Sequence, residues 1–180
     1  VILITQEREE LHMKKIVLAS ASPRRRELLS QVGVAFEVKP ASGEERITSA
    51  EPAKVVEELS RQKAMFTAYA LEEEENRDLR DVVVIGADTV VSYEGKILGK
   101  PADETAAIEM LAMLQGNTHQ VYTGVTLLIR EKGRWKAHTF HECTDVSFYP
   151  VTEEEIKEAY ELVDEKLLAV IKKALVNIRK

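Results

Sequence analysis

The chain has 180 residues, of which 44% are hydrophobic and 31% charged, and its formal net charge is −6. This composition is typical of a soluble globular protein, and the length fits one domain with at most a small appendage. The negative charge argues against a nucleic-acid polymer as the main partner, because polymer binding relies on a broad cationic surface. A single nucleotide needs only a local cationic pocket and is therefore not excluded.

Signals for targeting and for disulfide bonds are weak in this sequence. Cys143 is its only cysteine, so we expect no disulfide framework and a reducing compartment, the cytoplasm. No apolar run approaches the roughly 18 residues that span a membrane, so no membrane partner is expected. Residues 1–12 do not resemble a signal peptide, because their apolar run is short and acidic residues follow it. We interpret them as an extension outside the domain, which begins at Met13.

The hydrophobic pattern predicts strands and helices that alternate at the start of the chain. The first predicted elements are a strand at 15–20, a helix at 24–32 with Ser22 as N-cap and Leu28, Leu29 and Val32 on its apolar face, a strand at 34–39 and a polar loop at 40–51. A long helix from Pro52 follows and ends in a solvated acidic run Glu72–Glu75, and then come a buried strand at 81–87 and a hairpin at 90–98 about Glu94-Gly95. The last predicted elements are a helix capped by Asp103, strands at 119–129 and 135–148, and a final helix behind a Thr152–Glu155 capping box. This order predicts an α/β fold with a mixed, twisted, elongated sheet flanked by helices.

The first candidate site is the turn Ser20–Arg26, where a strand ends and a helix begins. Backbone N–H groups of such a turn and the positive end of the helix form a natural anion site. Three arginines in the first turn oppose the helix dipole, and their forks match phosphate oxygens, so an external anion is expected to compensate them. The alternative is a solvated, basic helix start.

The second candidate is the pair Asp88-Thr89, directly after the buried run at 81–87. In open α/β sheets, ligands bind outside the carboxyl ends of strands. A carboxylate at that place can hold Mg²⁺ or orient a water molecule as a general base. The alternative role is that of a helix or turn cap.

Further charged residues have weaker signals. Lys100, which the following proline holds rigid, can reach a phosphate, and Glu44 or Glu45 in the polar loop can share a metal with Asp88. For each of them, simple solvation is the alternative, and for Lys63 on the long helix it is snorkelling. Together, arginines, carboxylates and lysines are suited to phosphoanhydride cleavage, in which cations neutralise phosphate charge and a carboxylate positions water. We expect the arginine turn and Asp88 to face one cavity.

Other site chemistries find no support. The histidines and Cys143 lack the spacing of zinc ligands, and P-loop, dinucleotide-binding and nucleophile-elbow motifs are absent from the sequence. We interpret His119 and Tyr122 as structural residues, and Cys143 as a small strand residue.

Five segments, read together, resemble the Maf family of nucleotide pyrophosphatases. They are Leu18–Leu29 (LASASPRRRELL), Val84–Val91 (VIGADTVV), Ile97–Pro101 (ILGKP), Leu114–Val125 (LQGNTHQVYTGV) and the strand that follows. They keep the family's order and spacing from about Met13 to Tyr160, which is more specific than any single segment.

The resemblance implies a Maf/ITPase-like α/β architecture and hydrolysis of a nucleoside triphosphate to the monophosphate and pyrophosphate, with Mg²⁺, Mn²⁺ or another divalent metal. It also implies a house-cleaning role toward standard or modified nucleotides, a link to septum formation in bacteria and a homodimer. Arg25 and Thr89 resemble the branch that prefers dTTP and UTP.

Site roles carry over by position in the matched segments. Glu45 and Asp88 would hold the metal and activate water, with Asp88 as the proton acceptor. Lys63 and Lys100 would bind phosphate. The substrate-binding set is Ser20, Arg24, Arg25, Lys63 and Thr89, and the catalytic set is Asp88, Glu45 and Lys100.

Beyond Ile156 the chain departs from the family pattern. The family continues through a segment GEPxDKAGxYxIQG, whose glutamine helps select the base, whereas residues 161–180 have the pattern of a charged amphipathic helix. We therefore divide the chain into an extension at 1–12, a Maf-like domain at 13–160 and a divergent, atypical helix at 161–180, as in a truncated or altered copy. The alternatives are an enzyme for modified purine triphosphates, a nucleotide-binding protein without turnover, and a plain structural domain.

Overall fold

The computed structural model describes residues 14–156, and its helices and strands follow the predicted order. The predicted segments at 1–12 and 161–180 lie outside the described residues. The strands are β1 (Lys15–Leu18), β2 (Phe36–Val38), β3 (Val82–Tyr93), β4 (Lys96–Leu98), β5 (Thr118–Glu131) and β6 (Arg134–Ser147), and the helices are α1 (Pro23–Gln31), α2 (Pro52–Glu72) and α3 (Glu104–Leu114).

The strands form one mixed sheet in the order β2-β1-β3-β5-β6, with β4 paired to β3. β1 runs parallel to both β2 and β3, and Leu18 lies opposite Val38 on one side and Ile85 on the other. β4 is antiparallel to β3. The predicted α/β class with a mixed sheet flanked by helices is thus confirmed. Between residues 14 and 156, no helix has the length and apolar character required to cross a bilayer.

The chain divides into two compact units. The first consists of the residues up to Thr89 together with Thr123–Glu142, and it contains β1, β2, α1 and α2. The second consists of Val90–Tyr122 and the residues from Cys143 onward, and it contains β4 and α3. All residues of the expected site except Lys100 belong to the first unit.

The core of the first unit forms where α2 lies on the sheet. Ala64 and Leu71 of α2 are completely buried against Val84 of β3, and Leu128 of β5 joins the same cluster. The apolar residues of α2 recur at helical spacing, as the sequence predicted, so one stripe of the helix faces the strands.

Two glycines let the backbone of α2 lie directly on the strands. A Cβ atom at Gly86 of β3 would stand 2.1 Å from the carbonyl oxygen of Ser60, and one at Gly124 of β5 would stand 2.2 Å from that of Val56. Both distances are far shorter than van der Waals contact, so a larger residue requires the helix to move. Because alternate residues of a strand face the same side, Asp88 faces the side on which α2 is seated at Gly86.

α1 begins where predicted, but its apolar face is exposed. Ser22 occupies the N-cap position without a side-chain capping bond, and its backbone N–H donates to Oγ of Ser20 at 3.2 Å. Leu28 and Val32 are 49% and 67% exposed. In the described part of the chain α1 has no buried residue, so the apolar face that the sequence indicated is exposed at these two positions.

The acidic run Glu72–Glu75 closes α2 as predicted, and Glu72, Glu73 and Glu75 are exposed, but two of its carboxylates also form ion pairs. Glu72 accepts a hydrogen bond from the guanidinium of Arg130 at 2.5 Å. Glu74 pairs with the ammonium of Lys39, and this hydrogen bond lowers the pKa of the Glu74 carboxyl. Lys39 and Arg130 lie 35 and 58 residues away along the chain, so a local charge pattern could not reveal these two pairs, whereas Arg77, which also pairs with Glu74, is three residues away.

Local signals in the second unit are confirmed. Glu94 and Gly95 both have positive φ, at 49° and 76°, which suits the tight turn between β3 and β4. Asp103 caps α3 by accepting a backbone N–H three residues on, at 2.9 Å. Thr152 and Glu155 exchange the two reciprocal bonds of a capping box, at 2.8 and 3.2 Å.

His119 of β5 is buried in the second unit. It is 3% exposed, and its ring meets that of Phe148 edge-on, with 4.7 Å between the ring centroids. Among the described residues, its Nδ1 atom has no hydrogen-bond partner. Burial lowers the pKa of the ring from its ordinary value of 6.5, because the charged form loses its hydration.

We expect Gly86→Ala to reduce the free energy of unfolding by about 3 kcal/mol, since the new methyl group would collide with the backbone of α2. Urea denaturation would measure the loss. Gly99→Ala is the matched control, because a Cβ at Gly99 meets nothing within 4 Å. Equal stability of the two variants would contradict the seating of α2 on Gly86.

We also expect the free energy of unfolding to fall as the pH decreases below about 6.5, where unfolded His119 takes up a proton that the folded ring does not. The stabilising difference is complete above the ordinary pKa and is lost as the pH falls toward the lower, folded pKa. Urea titrations across this range should lose this part of the pH dependence in His119→Phe. His138→Phe, at an exposed position, should keep it; equal slopes in wild type and His119→Phe would refute the assignment.

Candidate functional site

Asp88 and Thr89 lie inside β3, not at its end as the buried run predicted, because β3 is a strand of 12 residues that continues beyond them. What ends here is the neighbouring strand. Leu18 at the end of β1 pairs with Ile85, and the N–H of Ala19 donates to the carbonyl of Ile85 at 2.8 Å. The pair therefore lies just beyond the carboxyl end of β1, and the rule that ligands bind beyond strand ends applies to that strand.

Successive residues of a strand face opposite sides, so Asp88 and Thr89 belong to two neighbouring clusters. We call Glu45, Lys63 and Asp88 the carboxylate–lysine cluster. The ammonium of Lys63 contacts Oδ1 of Asp88 and lies 3.2 Å from Oε1 of Glu45. The side chains of Lys63 and Asp88 are only 18% and 14% exposed, whereas that of Glu45 is 40% exposed. Lys63 is thus a bridge between two carboxylates, and the snorkelling alternative is excluded.

The carboxylate–lysine cluster combines three different elements of the first unit. Lys63 belongs to α2, directly before Ala64, whose backbone N–H would lie 2.7 Å from a Cβ at Gly86. Asp88 lies two residues further along β3 on the same side. Glu45 comes from the loop between β2 and α2. The close approach of α2 to Gly86 therefore brings Lys63 to Asp88.

The donor set of this cluster fits a divalent cation. Glu45 and Asp88 each place one carboxylate oxygen on the same ammonium, so the two oxygens are no farther apart than two ion-pair contacts in series. Mg²⁺ prefers oxygen ligands and commonly uses one or two carboxylates, with water and phosphate oxygens completing the shell. No group of three or more His, Cys, Asp or Glu residues suited to a metal occurs between residues 14 and 156. Water and substrate oxygens can complete the shell of a cation held by these two carboxylates.

The second cluster, which we call the arginine turn cluster, consists of Ser20, Arg25, Thr89 and Thr123. Arg25 donates from Nη1 to Oγ of Ser20 at 3.1 Å and from Nη2 to Oγ1 of Thr89 at 3.5 Å. The Thr89 hydroxyl lies 3.1 Å from that of Thr123 on β5. Every one of these partners is neutral, so the positive charge of Arg25 keeps its capacity to bind an anion.

Among the described residues, the hydrogen-bond partners of the arginines of the turn are neutral groups. No ion pair of Arg24, Arg25 or Arg26 is found in the described part of the chain. Arg24 is exposed, and the guanidinium of Arg26 donates to the carbonyl of Ala21 at 3.3 Å. The local expectation that these charges are left for an external anion is compatible with this geometry.

The structure brings most of the expected site residues together, but Arg24 and Glu44 belong to neither cluster. Lys100 is an exposed residue of the second unit, and its role stays a prediction. Glu44, the neighbour of Glu45, instead lines a groove beside Phe66.

Thr123 was missed by the sequence reasoning although it lies within a matched segment. The signal that could have revealed it is Gly124, because a glycine within a strand often marks a close approach of another backbone. Successive residues of a strand face opposite sides, so Thr123 of β5 lies on the side away from α2, where Thr89 also points.

We expect Lys63→Met to lower the free energy of unfolding by about 1–3 kcal/mol, because two partly buried carboxylates would lose the ammonium that they share. Lys54→Met is the matched control on the same helix, since Lys54 is 63% exposed and, within residues 14–156, pairs with Glu51 three residues away. Chemical denaturation should place the control within about 0.5 kcal/mol of the wild type. Equal losses in both variants would mean that the bridge contributes nothing.

Comparisons with known proteins agree with the resemblance found in the sequence. The family model described as Maf-like protein matches residues 15–169. A dTTP/UTP pyrophosphatase of Agathobacter rectalis is 57% identical over 150 residues, which cover 80% of this chain and 73% of the relative. A protein of the same name from Bacillus cereus is 47% identical over 160 residues, which cover 88% of this chain and 72% of the relative. One from Bacillus thuringiensis subsp. konkukian is 48% identical over 149 residues, which cover 82% of this chain and 71% of the relative. This chain therefore belongs to the Maf family.

Proposed function

We propose that this protein is a metal-dependent nucleoside triphosphate pyrophosphatase that hydrolyses dTTP and UTP to the monophosphate and pyrophosphate. The observation that carries the proposal is the lysine held between two carboxylates at Asp88, together with the arginine that contacts Thr89, the next residue of β3, and whose partners among the described residues are neutral. The names of the relatives in Agathobacter rectalis and Bacillus cereus supply the substrate pair.

In the proposed reaction, water attacks the α-phosphorus, and the bond between that phosphorus and the α–β bridging oxygen breaks. The bridging oxygen leaves with pyrophosphate, and the water oxygen stays on the nucleoside monophosphate. Asp88 accepts the proton that the attacking water loses. Only Oδ1 of Asp88 contacts Lys63 among the described residues, so Oδ2 can accept a hydrogen bond from the water.

Cationic side chains bind the phosphates in this proposal. Arg25 is held by Ser20 and Thr89, so its guanidinium is oriented before the substrate arrives, and less conformational entropy is lost on binding. Arg24 is exposed in the first turn of α1, where backbone N–H groups also favour an anion. Lys63 and, from the second unit, Lys100 complete the proposed set of phosphate ligands.

Glu45 and Asp88 would hold the divalent cation, Mg²⁺ or Mn²⁺. When bound, the cation supplies neutralisation of the phosphate charge that develops during hydrolysis. Lys63 keeps the two carboxylates close together without it, so their mutual repulsion does not have to be overcome when the site is assembled.

The pyrimidine preference is proposed from Arg25 and Thr89, the positions that resemble the dTTP/UTP branch. The hydrogen bond between them makes the two positions one unit, which Thr123 extends. A change at either position is therefore expected to move the other.

We expect a panel of nucleoside triphosphates with Mg²⁺ to give the highest kcat/KM for dTTP and UTP, with pyrophosphate as the released product. Asp88→Asn should lower kcat by about 10²–10⁴-fold, because the amide cannot accept the proton of the attacking water. Asp81→Asn is the matched control, since that side chain is 65% exposed and pairs only weakly with Lys14, at 3.5 Å.

The same panel separates the alternatives. Wild-type rates no higher than those of Asp88→Asn, combined with tight dTTP binding, would identify a nucleotide-binding protein without turnover. A maximum for a modified purine triphosphate would identify a related hydrolase with another substrate. Rates that do not respond to chelation of divalent metal would overturn the proposed metal dependence.

A further inference from the structure

The loop that carries Glu45, residues 40–51, is held to α2 by side chains. The amide of Gln62 donates from Nε2 to the carbonyl of Arg46 at 2.6 Å, and its Oε1 accepts the N–H of the same residue at 2.8 Å. Gln62 thus satisfies both backbone groups of the residue directly after Glu45. Such a two-bond contact fixes the direction of the loop backbone as well as its distance from the helix.

A second contact lies one helical turn earlier on α2. The carboxylate of Glu58 accepts the N–H of Thr48 at 2.9 Å and also the Thr48 hydroxyl. Residues four apart on a helix share one face, so Glu58 and Gln62 form a row that faces the loop. These hydrogen bonds lower the pKa of Glu58, which keeps the accepting carboxylate charged.

Apolar contacts alone would hold this part of the loop poorly. The residues after Gly43 are mostly exposed, and Ile47 is 58% exposed. A groove of about 420 Å³ lies along the exposed face of α2 beside the loop, lined by Glu44, Arg46, Gln62, Met65, Phe66 and Tyr69. Among the described residues, the hydrogen bonds from loop positions 44–48 to α2 are those of Gln62 and Glu58, beside the Lys63–Glu45 ion pair.

We infer that Gln62 is a positioning residue, which acts through the backbone of Arg46 to place the carboxylate of Glu45 on Lys63 and beside Asp88. The inference rests on the proposed function, because it assigns a role in assembling the same metal and phosphate site. Gln62 and Lys63 are consecutive on α2, so one segment of helix holds both the loop and the ammonium that Glu45 contacts. A displaced loop would carry Glu45 away while leaving Lys63 and Asp88 paired.

The test is a double-mutant cycle of Gln62→Met and Glu45→Gln with dTTP and varied Mg²⁺. Methionine keeps the length and helix propensity of glutamine but removes both hydrogen bonds. We expect Gln62→Met alone to lower kcat/KM about tenfold and to raise the Mg²⁺ concentration for half-maximal rate. In the Glu45→Gln background, Gln62→Met should have no further effect, because its action passes through the Glu45 carboxylate.

Two other substitutions complete the design. Gln62→Glu keeps an acceptor for the N–H of Arg46 but sets a carboxylate oxygen against the carbonyl of the same residue, so its loss should be at least as large as that of Gln62→Met. Gln31→Met is the matched control, since Gln31 is exposed on α1 and its side chain makes, in the part of the chain that the structure describes, a single 3.4 Å bond to Glu27. Additive effects in the cycle, or an equal loss in Gln31→Met, would overturn the inference.

A readout that does not depend on turnover separates this inference from the proposed function. Amide hydrogen exchange at Arg46 should become faster in Gln62→Met, while the amides of α2 keep their protection. Mn²⁺ affinity, measured by electron paramagnetic resonance without nucleotide, should fall in the same variant. An unchanged rate of amide hydrogen exchange at Arg46 in Gln62→Met would overturn the inference even if the enzyme is active. Faster exchange and weaker Mn²⁺ binding in a protein without turnover would uphold the positioning role and overturn only the proposed activity.

Discussion

The close approach of α2 to β3 and β5 is the constraint on which the site depends. Gly86 and Gly124 leave no room for a side chain between strand and helix, so the helix backbone has one position along the strands. That position sets Lys63 against Asp88, two residues beyond Gly86. A shift of α2 by one residue would move the ammonium about 1.5 Å along the helix axis and about 100° around it, which would separate the pair.

The packing of α2 on the sheet also determines where charged side chains lie around β3. The part of β3 that pairs with β1 is apolar. Polar residues, Asp88 and Thr89, follow in β3 just beyond the end of β1. Glu45 and Asp88 share the ammonium of Lys63 on the side of β3 that faces α2. Arg25 contacts Thr89, the residue of β3 that follows Asp88. Asp88 and Thr89 face opposite sides of β3, so the expectation that the arginine turn and Asp88 face one cavity stays a prediction.

One helix therefore organises three parts of the proposed chemistry. α2 contributes Lys63, fixes Asp88 through its contact with β3, and holds the loop of Glu45 through Gln62. Membership of the Maf family and the names of the relatives are consistent with a nucleotide substrate for such a site. Lys63 and Asp88 form a partly buried pair, whereas the loop of Glu45 is exposed and held by hydrogen bonds. Exposed loops open at lower free energy than packed helices, so the loop is the more easily displaced part of the site.

The sequence by itself determined the element order, the α/β class, the Glu94-Gly95 turn and the Asp103 cap, because these depend on hydrophobic period and on residues a few positions apart. It also named Arg25, Lys63, Asp88 and Glu45 through the family resemblance. Only the tertiary structure decided that Asp88 lies inside β3, since the end of β1 is a matter of strand pairing. It alone joined Glu72 to Arg130, and Gln62 to Arg46, because hydrogen bonds between distant segments leave no periodic trace in the chain.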